Sequence, residues 1–116
     1  MLQIPVAKVA VLAATFAFDR PYTYKIPQPL TDTLCPGCRV MVPFSRGNRP
    51  CEGMVLALDK AEDDPKLKPI TRQLDPEPIL SPELIRLAVW MHDRFFCTIY
   101  DALHAILPAG VWYRVS

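Results

Sequence analysis

The sequence has few of the features that catalysis or membrane insertion requires. It contains no run of about 18 apolar residues, the length that a membrane-spanning helix needs. The N-terminus lacks a basic segment, and Pro5 and Lys8 interrupt its apolar stretch, so we expect no secretory signal, no membrane partner and a cytoplasmic location. Its four glycines form no phosphate-binding loop, and no nucleophile or metal-ligand set accompanies His92 or His104. These absences argue against an enzyme.

The chain has only four cysteines, and two of them belong to the motif CPGC, Cys35 to Cys38. A redox-active CxxC pair normally opens a helix, whereas the strand-like sequence RVMVPF follows this one. A zinc site needs a second ligand pair, but Cys51 and Cys97 are single and far apart. We favour a Pro-Gly turn in which Gly37 takes the positive-φ position, and we expect no metal or other cofactor. A redox or metal protein built on this motif is the alternative.

Charges of the two signs are nearly balanced, with 13 basic and 12 acidic residues. Their distribution is uneven, because residues 1–50 carry six basic and two acidic side chains, while residues 51–80 carry four basic and seven acidic ones. The first half therefore offers a surface suited to an anion, although scattered Lys and Arg are also typical of any solvated exterior.

Proline is abundant, at 13 of 116 residues, and this favours strands and loops over long helices in the first half. The segment 67–74, LKPITRQL, predicts an edge strand or the start of a strand, because Pro69 has no amide hydrogen to donate to a sheet. The sequence SRGNRP predicts a tight connection that joins the strands on either side of it as a hairpin. Apolar or alternating stretches predict strands at residues 6–12, 22–26, 38–44 and 52–58.

In the second half of the chain the apolar residues recur at helical spacing. Ser81 suits a helix N-cap and Pro82 the first helical position. The pattern from Thr98 to Asp101 opens a shorter helix, which Pro108 and Gly110 would end. The apolar face predicted for the first helix consists of Leu84, Leu87, Ala88, Met91 and Phe95.

Together these patterns predict an α+β fold: a small, mostly antiparallel β-barrel or sheet, OB-like, followed by two C-terminal helices. We expect a single domain over residues 1–116, with strands in about 6–78 and helices in about 82–108.

The stretch DRPYTYKIP poses the central functional question. In a strand Tyr22, Tyr24 and Ile26 share one face, while Thr23 and Lys25 share the other. Alternation alone favours a core strand. The functional interpretation is that one ring lies at the barrel mouth and stacks on a nucleic-acid base, while nearby cations hold the phosphate. The cations available as phosphate contacts are Arg20, Lys25, Arg46 and Arg49.

The order of these segments resembles the N-terminal domain of the primosomal protein N′ family, the PriA replication-restart helicases. VAKVAVL, RPYTYKIP, PGCRVMVPFSRGNRPCEGMVLAL and the segment from LKPITRQL to DALHAILP follow in the same order and cover nearly the whole chain. The most specific pieces are GCRVMVPF, LDPEPILSPEL and DALHAILP.

The resemblance implies a DNA-binding module that captures the 3′-hydroxyl end of the nascent leading strand at stalled or branched replication forks, without sequence preference. Its implied partners are DNA with a 3′-hydroxyl end, branched fork DNA, the helicase domains of the same protein and other primosome proteins. It implies a bacterial cytoplasmic, nucleoid-associated location. It also implies that the chain is a fragment of an ATP-dependent helicase whose motor lies elsewhere, so the chain by itself is not an enzyme.

The resemblance further implies a site for the terminal nucleotide, which in the family is held by an aromatic residue, an aspartate, a glycine and a lysine. The aromatic position falls on Tyr22 and the lysine on Lys68. The other two positions depart from the family pattern, because Thr23 replaces the aspartate and Ser45 replaces the glycine, with Gly47 two residues further on. The alternative function is a protein-interaction module that docks on the helicase core or on another primosome protein.

Overall fold

The computed structural model of the protein describes residues 3–12, 21–44, 47–95 and 97–106. These ranges form an antiparallel sheet followed by two α-helices, which confirms the predicted α+β class. The elements are β1 Gln3–Val11, β2 Tyr22–Lys25, a 3₁₀ turn Gln28–Leu30, β3 Arg39–Phe44, β4 Arg49–Glu62, β5 Arg72–Gln73, α1 Pro82–Arg94 and α2 Ile99–Ile106.

The five strands lie in the order β2-β1-β4-β3-β5, and each neighbouring pair is antiparallel. The predicted hairpin is confirmed, since Phe44 at the end of β3 pairs with Arg49 at the start of β4. Asn48 adopts a φ of 50° in the connection, a left-handed conformation that asparagine tolerates well. The predicted edge strand at 67–74 is shorter than expected, because only Arg72 and Gln73 pair with β3.

The sheet is not closed, but its two edges meet at one point. Lys25 at the end of β2 forms an isolated parallel bridge with Pro69, which we call the Lys25–Pro69 bridge. The amide of Lys25 donates to the carbonyl of Lys68 at 2.9 Å, and the amide of Ile70 donates to the carbonyl of Lys25 at 3.0 Å. The chain just before β5 therefore contacts the outer edge of β2.

Each face of the sheet covers its own apolar cluster. Along β1, Ala7 and Val9 belong to one cluster and Ala10 to the other, as strand alternation requires. In β4 a Cβ on Gly53, the register partner of Val11, would lie 2.5 Å from the Val9 side chain, so glycine fits best at this position. The first cluster includes Val11, Tyr24, Leu34, Cys38, Val40, Val42, Val55 and Ile70. The second joins the sheet to the helices through Met54, Leu80, Ile85, Ala88, Ile99, Tyr100, Ala102 and Leu103.

Both helices begin where the sequence predicts. The Ser81 hydroxyl accepts from the amide of Leu84 at 3.3 Å and caps α1. At α2 the caps are reciprocal, because the Asp101 amide donates to Thr98 Oγ1 at 3.0 Å and the Thr98 amide donates to Asp101 Oδ2 at 3.3 Å. The predicted stop at Pro108 and Gly110 lies outside the described residues. In the described ranges, neither helix is long and apolar enough to cross a bilayer.

The predicted apolar face of α1 is partly wrong. Ile85 is buried beside Ala88, whereas Leu87 is 42% exposed and Phe95 is 57% exposed. Leu87 lies about 100° around the helix from Ala88 and so beyond the buried arc. Phe95 follows the end of α1 in an extended conformation, so the helical spacing no longer directs its side chain.

A buried ion pair attaches the chain after β5 to β3. The Arg39 guanidinium donates to both carboxylate oxygens of Asp75, each at 2.9 Å, and the Arg39 amide also donates to Asp75 Oδ2 at 2.9 Å. Burial alone would lower the pKa of Arg39, but the bonds to and charge of Asp75 outweigh it and raise that pKa. Nearby, the hydroxyl of Tyr100 on α2 donates to Glu52 on β4.

Candidate nucleic-acid interface

The two tyrosines of β2 have different environments although they share one face of the strand. Tyr24 is buried in the first cluster, and its hydroxyl donates to the carbonyl of Pro43 at 2.8 Å. Burial, with smaller contributions from Cys51 and Tyr22, raises the pKa of Tyr24 to about 12. Tyr22, at the start of the strand, is only partly buried. The predicted core role of Tyr24 is confirmed, and Tyr22 is the ring nearer the surface.

An aromatic pair stands at this end of the sheet. The Tyr22 ring meets the Phe44 ring edge to face, with centroids 5.2 Å apart and an interplanar angle of 84°. Because Phe44 ends β3 and pairs with the exposed Arg49, the pairing also brings the Arg49 cation to this end of the sheet. Phe44 is a residue of the interface that sequence reasoning missed. Phe44 lies in the predicted strand 38–44, but only the three-dimensional arrangement of the strands places its ring against Tyr22.

Three of the predicted contact residues, Arg20, Ser45 and Arg46, lie outside the described residues.

Thr23 presents its backbone to the outer edge of the sheet. The amide of Ile26 donates to Pro5 of β1 at 3.1 Å, whereas the amide of Lys25 donates away from β1, to Lys68. Successive strand residues direct their N–H and C=O groups to opposite sides in the plane of the sheet. Thr23, two residues before Lys25, therefore directs its amide and carbonyl outward. This edge can offer a donor and an acceptor to a ligand beside Tyr22.

The Thr23 side chain is already engaged on the other face of β2. Lys8 of β1 pairs with Thr23 in the sheet, and its ammonium donates to Thr23 Oγ1 at 2.7 Å. Sequence reasoning did not include Lys8 among the site residues, because only the register of β1 against β2 reveals this neighbour. The ammonium of Lys8 places a positive charge beside the Thr23 side chain.

The backbones of Lys25 and Lys68 are hydrogen-bonded at the far end of β2, with the two side chains on opposite faces. Tyr22 is three residues away from Lys25, a span of about 10 Å along a strand. Lys25 Nζ forms an ion pair with Asp63 Oδ1 at 3.0 Å, and both side chains are partly exposed. Such exposed pairs contribute about 0–1 kcal/mol, so a phosphate can replace the carboxylate at little cost. Lys68 is half-buried, and alternation across the Lys25–Pro69 bridge puts its side chain on the side of the buried Ile70.

The structure thus gathers most of the described candidates along one edge strand. An aromatic pair and Arg49 lie at one end of β2, the outward backbone of Thr23 lies next to them, and Lys25 with Lys68 lies at the other end. Rings can stack on flat groups and the cations can bind an anion, and these groups extend over roughly 10 Å along β2.

The CPGC motif forms the predicted turn. Gly37 has a φ of 97°, and the Cys38 amide donates to the Cys35 carbonyl at 3.2 Å. Cys38 is buried, and Cys35 is only partly so. His92 Nδ1 lies 2.9 Å from the carbonyl oxygen of Cys97, and the side chain of His104 lies outside the described residues. Within the described ranges, no three His, Cys, Asp or Glu side chains group as metal ligands would.

Comparison with known families decides the identity of this fold. The family model "3'DNA-binding domain (3'BD)" of PriA matches residues 8–108, which include β2, the aromatic pair, Lys68 and both helices. The chain belongs to the PriA 3′ DNA-binding domain family. The resemblance inferred from the sequence is therefore confirmed.

Curated PriA relatives support the same assignment. The replication restart protein PriA of Bacillus subtilis is 38% identical over 107 residues, which cover 90% of this chain and 13% of that protein. The probable replication restart proteins PriA of Mycobacterium tuberculosis and Mycobacterium bovis are each 35% identical over 92 residues, covering 78% of this chain and 14% of theirs. The chain thus spans about one seventh of the length of these PriA relatives.

Proposed function

We propose that this PriA 3′ DNA-binding domain captures the 3′-hydroxyl end of a DNA strand at stalled or branched replication forks, without reading base sequence. The observation that carries the proposal is the edge strand β2, where the Tyr22–Phe44 pair, the outward backbone of Thr23 and the half-buried Lys68 follow one another. The family description and the names of the PriA relatives support it.

Each group has a physical role in this proposal. The Tyr22 ring, held by Phe44, stacks on the terminal base, and such stacking contributes about 1–3 kcal/mol whatever the base. The hydroxyl and outer backbone groups of Thr23 bind the terminal sugar hydroxyl or the base edge. Lys68 neutralises the preceding phosphate, while Lys25 and Arg49 add weaker contacts, together with Arg20, Ser45 and Arg46 from the sequence prediction.

The proposed role is one of positioning rather than catalysis. In the longer parent protein, the domain would hold the fork end while an ATP-dependent helicase motor acts, with branched DNA and other primosome proteins as partners. We propose the bacterial cytoplasm, close to the nucleoid, as its location, because its substrate is replicating DNA.

Terminus capture is tested with matched single strands that end in a 3′-hydroxyl or a 3′-phosphate, followed by fluorescence anisotropy. We expect weaker binding to the phosphorylated end, because the phosphate adds bulk and charge where the hydroxyl should sit against the β2 edge. Equal affinities would refute terminus capture. Because few phosphates are contacted, the affinity should fall only slowly with salt, by about 0.7 log units per log unit of salt for each phosphate bound.

The residue assignment is tested with paired variants. Tyr22→Ala should weaken DNA binding about 5- to 150-fold, the equivalent of one lost stacking contact. Tyr22→Phe keeps the ring and should bind DNA like the unmutated chain. Lys68→Ala should also weaken binding, while Lys66→Ala removes an exposed charge two residues away and should not. The residue assignment would be wrong if Tyr22→Ala and Lys68→Ala both fold and both bind DNA as tightly as the unmutated chain.

One observation favours protein interaction as a second function. On α1, Trp90 is 50% exposed and stacks edge to face with Phe95 at 6.1 Å, and the Arg94 guanidinium lies 5.5 Å from the Trp90 ring centre. With the exposed Leu87, these residues form an apolar surface typical of a docking face. We propose that the rest of the longer PriA chain covers it, since this chain corresponds to about 13% of the Bacillus subtilis relative.

Hydroxyl-radical footprinting of this chain and of the parent protein tests the docking face. Trp90 and Phe95 should be labelled less in the parent protein, with Leu58, exposed on β4, as the reference. Equal labelling of both aromatic residues in the two proteins would exclude docking on this face.

A further inference from the structure

The CPGC turn, residues 35–38, brings two thiols next to each other. Cys35 Sγ lies 3.7 Å from Cys38 Sγ, and the positive φ of Gly37 folds the backbone so that both side chains fall on one side of the turn. A disulfide requires a sulfur separation of about 2.05 Å, so small side-chain rotations suffice to join them. The other cysteines face carbonyl oxygens, since the thiol of Cys51 donates to Glu52 and that of Cys97 donates to Met91.

The two thiols differ in their access to solvent. Cys35 lines an open cleft of about 490 Å³ together with Pro36 and the chain from Pro78 to Pro82. Cys38 is fully buried, and the side-chain amide of Gln73 donates to its sulfur at 3.7 Å. A small reagent can therefore reach Cys35 through the cleft, while Cys38 is reached only through Cys35.

We propose that Cys35 and Cys38 form a reversible disulfide by exchange with a low-molecular-weight disulfide such as oxidised glutathione, with Cys35 as the entry thiol. The Cys35 thiolate attacks one sulfur of oxidised glutathione, and the S–S bond breaks to release one glutathione thiolate. Cys38 then loses its proton and attacks the Cys35 sulfur, which expels the second glutathione thiolate. The two protein thiols are oxidised, one glutathione disulfide is reduced to two thiols, and the two cysteine protons end on the two glutathiones.

The turn gives this modification a defined local effect. The Gly37 amide donates to Val55 of β4 at 2.8 Å, and the Ile79 amide donates to the Gly37 carbonyl at 2.9 Å, so the turn connects the sheet to the segment that leads into α1. The proposal does not rest on the proposed DNA function, because no residue of the turn is among those assigned to the DNA end.

Burial sets the rate of the second step. Loss of hydration raises the pKa of the Cys38 thiol to about 11, so little of the Cys38 thiolate is present at neutral pH. Ring closure should therefore be the slower step, and it should accelerate as the pH rises toward that pKa.

The test uses the chain with Cys51→Ser and Cys97→Ser, incubated with oxidised glutathione and followed by intact mass. We expect a final loss of about 2 Da and of both free thiols, reversed by dithiothreitol. Adding Cys38→Ser should stop the reaction at a glutathione adduct, about 305 Da heavier. Adding Cys35→Ser instead should leave the protein largely unmodified, because Cys38 is buried.

Three outcomes would overturn the proposal. A stable glutathione adduct in the protein with both cysteines would show that the thiols do not join. Equal reactivity of the Cys35→Ser and Cys38→Ser forms would show that Cys35 is not the entry point. No reaction at all would show that the cleft gives glutathione no access. If a serine variant fails to fold, peptide mapping of the unmutated chain after the same treatment replaces it. The proposal then requires that the disulfide found joins Cys35 and Cys38.

Discussion

Replacement of Asp75 by alanine should be among the most damaging single changes in this domain. The variant would leave the Arg39 guanidinium, whose residue is 1% exposed, without the carboxylate to which it donates two hydrogen bonds. Removal of one partner of a buried ion pair typically costs about 3–5 kcal/mol. Domains of this size have about 5–15 kcal/mol of total stability, so the loss would be a large share of the free energy of unfolding.

Urea unfolding followed by tryptophan fluorescence, together with thermal melts, measures this effect. At about 4 °C per kcal/mol, the melting temperature should fall by about 12–20 °C. Glu77→Ala removes an exposed carboxylate two residues away and should change stability by less than about 0.5 kcal/mol. The double variant Arg39→Met with Asp75→Leu removes both charges and should recover the part of the loss that comes from the charge of Arg39, although the amide of residue 39 still lacks its Asp75 acceptor.

Two results would refute this reasoning. If Asp75→Ala stays within about 1 kcal/mol of the parent, Arg39 finds water or another acceptor when the carboxylate is gone. If the double variant is no more stable than the single one, the loss comes from packing at position 75 or from the lost acceptor of the residue 39 amide rather than from the charge of Arg39.

Three further changes have defined outcomes. Gly37→Ala should destabilise the fold by at least about 2 kcal/mol in urea unfolding, because Gly37 has a φ of 97° and a Cβ there would lie 2.2 Å from the carbonyl oxygen of Leu80. An unfolding curve like that of the unmutated chain would contradict this. Ser81→Ala should cost about 1 kcal/mol by loss of the α1 cap, whereas Ser81→Asp should retain the stability. Thr23→Asp, which introduces the aspartate expected from the resemblance, should form an ion pair with Lys8 and bind 3′-hydroxyl DNA at least as well as the unmutated chain by anisotropy, and a loss of binding would contradict the assigned position.

The elements that depend on local signals were predictable from the sequence. Ser81 and the Thr98–Asp101 pair specify helix starts through bonds within one turn, and the sequence between β3 and β4 specifies a hairpin through its backbone preferences. The alternation that places Tyr24 in the core likewise needs only its neighbours in sequence.

The features that depend on distant pairing were not predictable in the same way. The Arg39–Asp75 pair joins residues 36 positions apart, and no spacing rule connects them. The contact of Tyr22 with Phe44 and that of Lys8 with Thr23 follow from strand order and register, which are set by the whole sheet. Leu87 was assigned to the core because apolar character alone does not say which arc of α1 faces α2.

The Lys25–Pro69 bridge has a further consequence for the proposed interface. Tyr22 and Phe44 are held by paired strands, whereas the segment that carries Lys68 lies outside the named strands and is joined to β2 by the backbone hydrogen bonds from Lys25 to Lys68 and from Ile70 to Lys25. Transient opening of that contact would withdraw the lysine while every strand stays paired. A DNA end that engages Lys68 would then favour the closed form by mass action, so the amides of Lys25 and Ile70 should exchange with deuterium more slowly once DNA is bound.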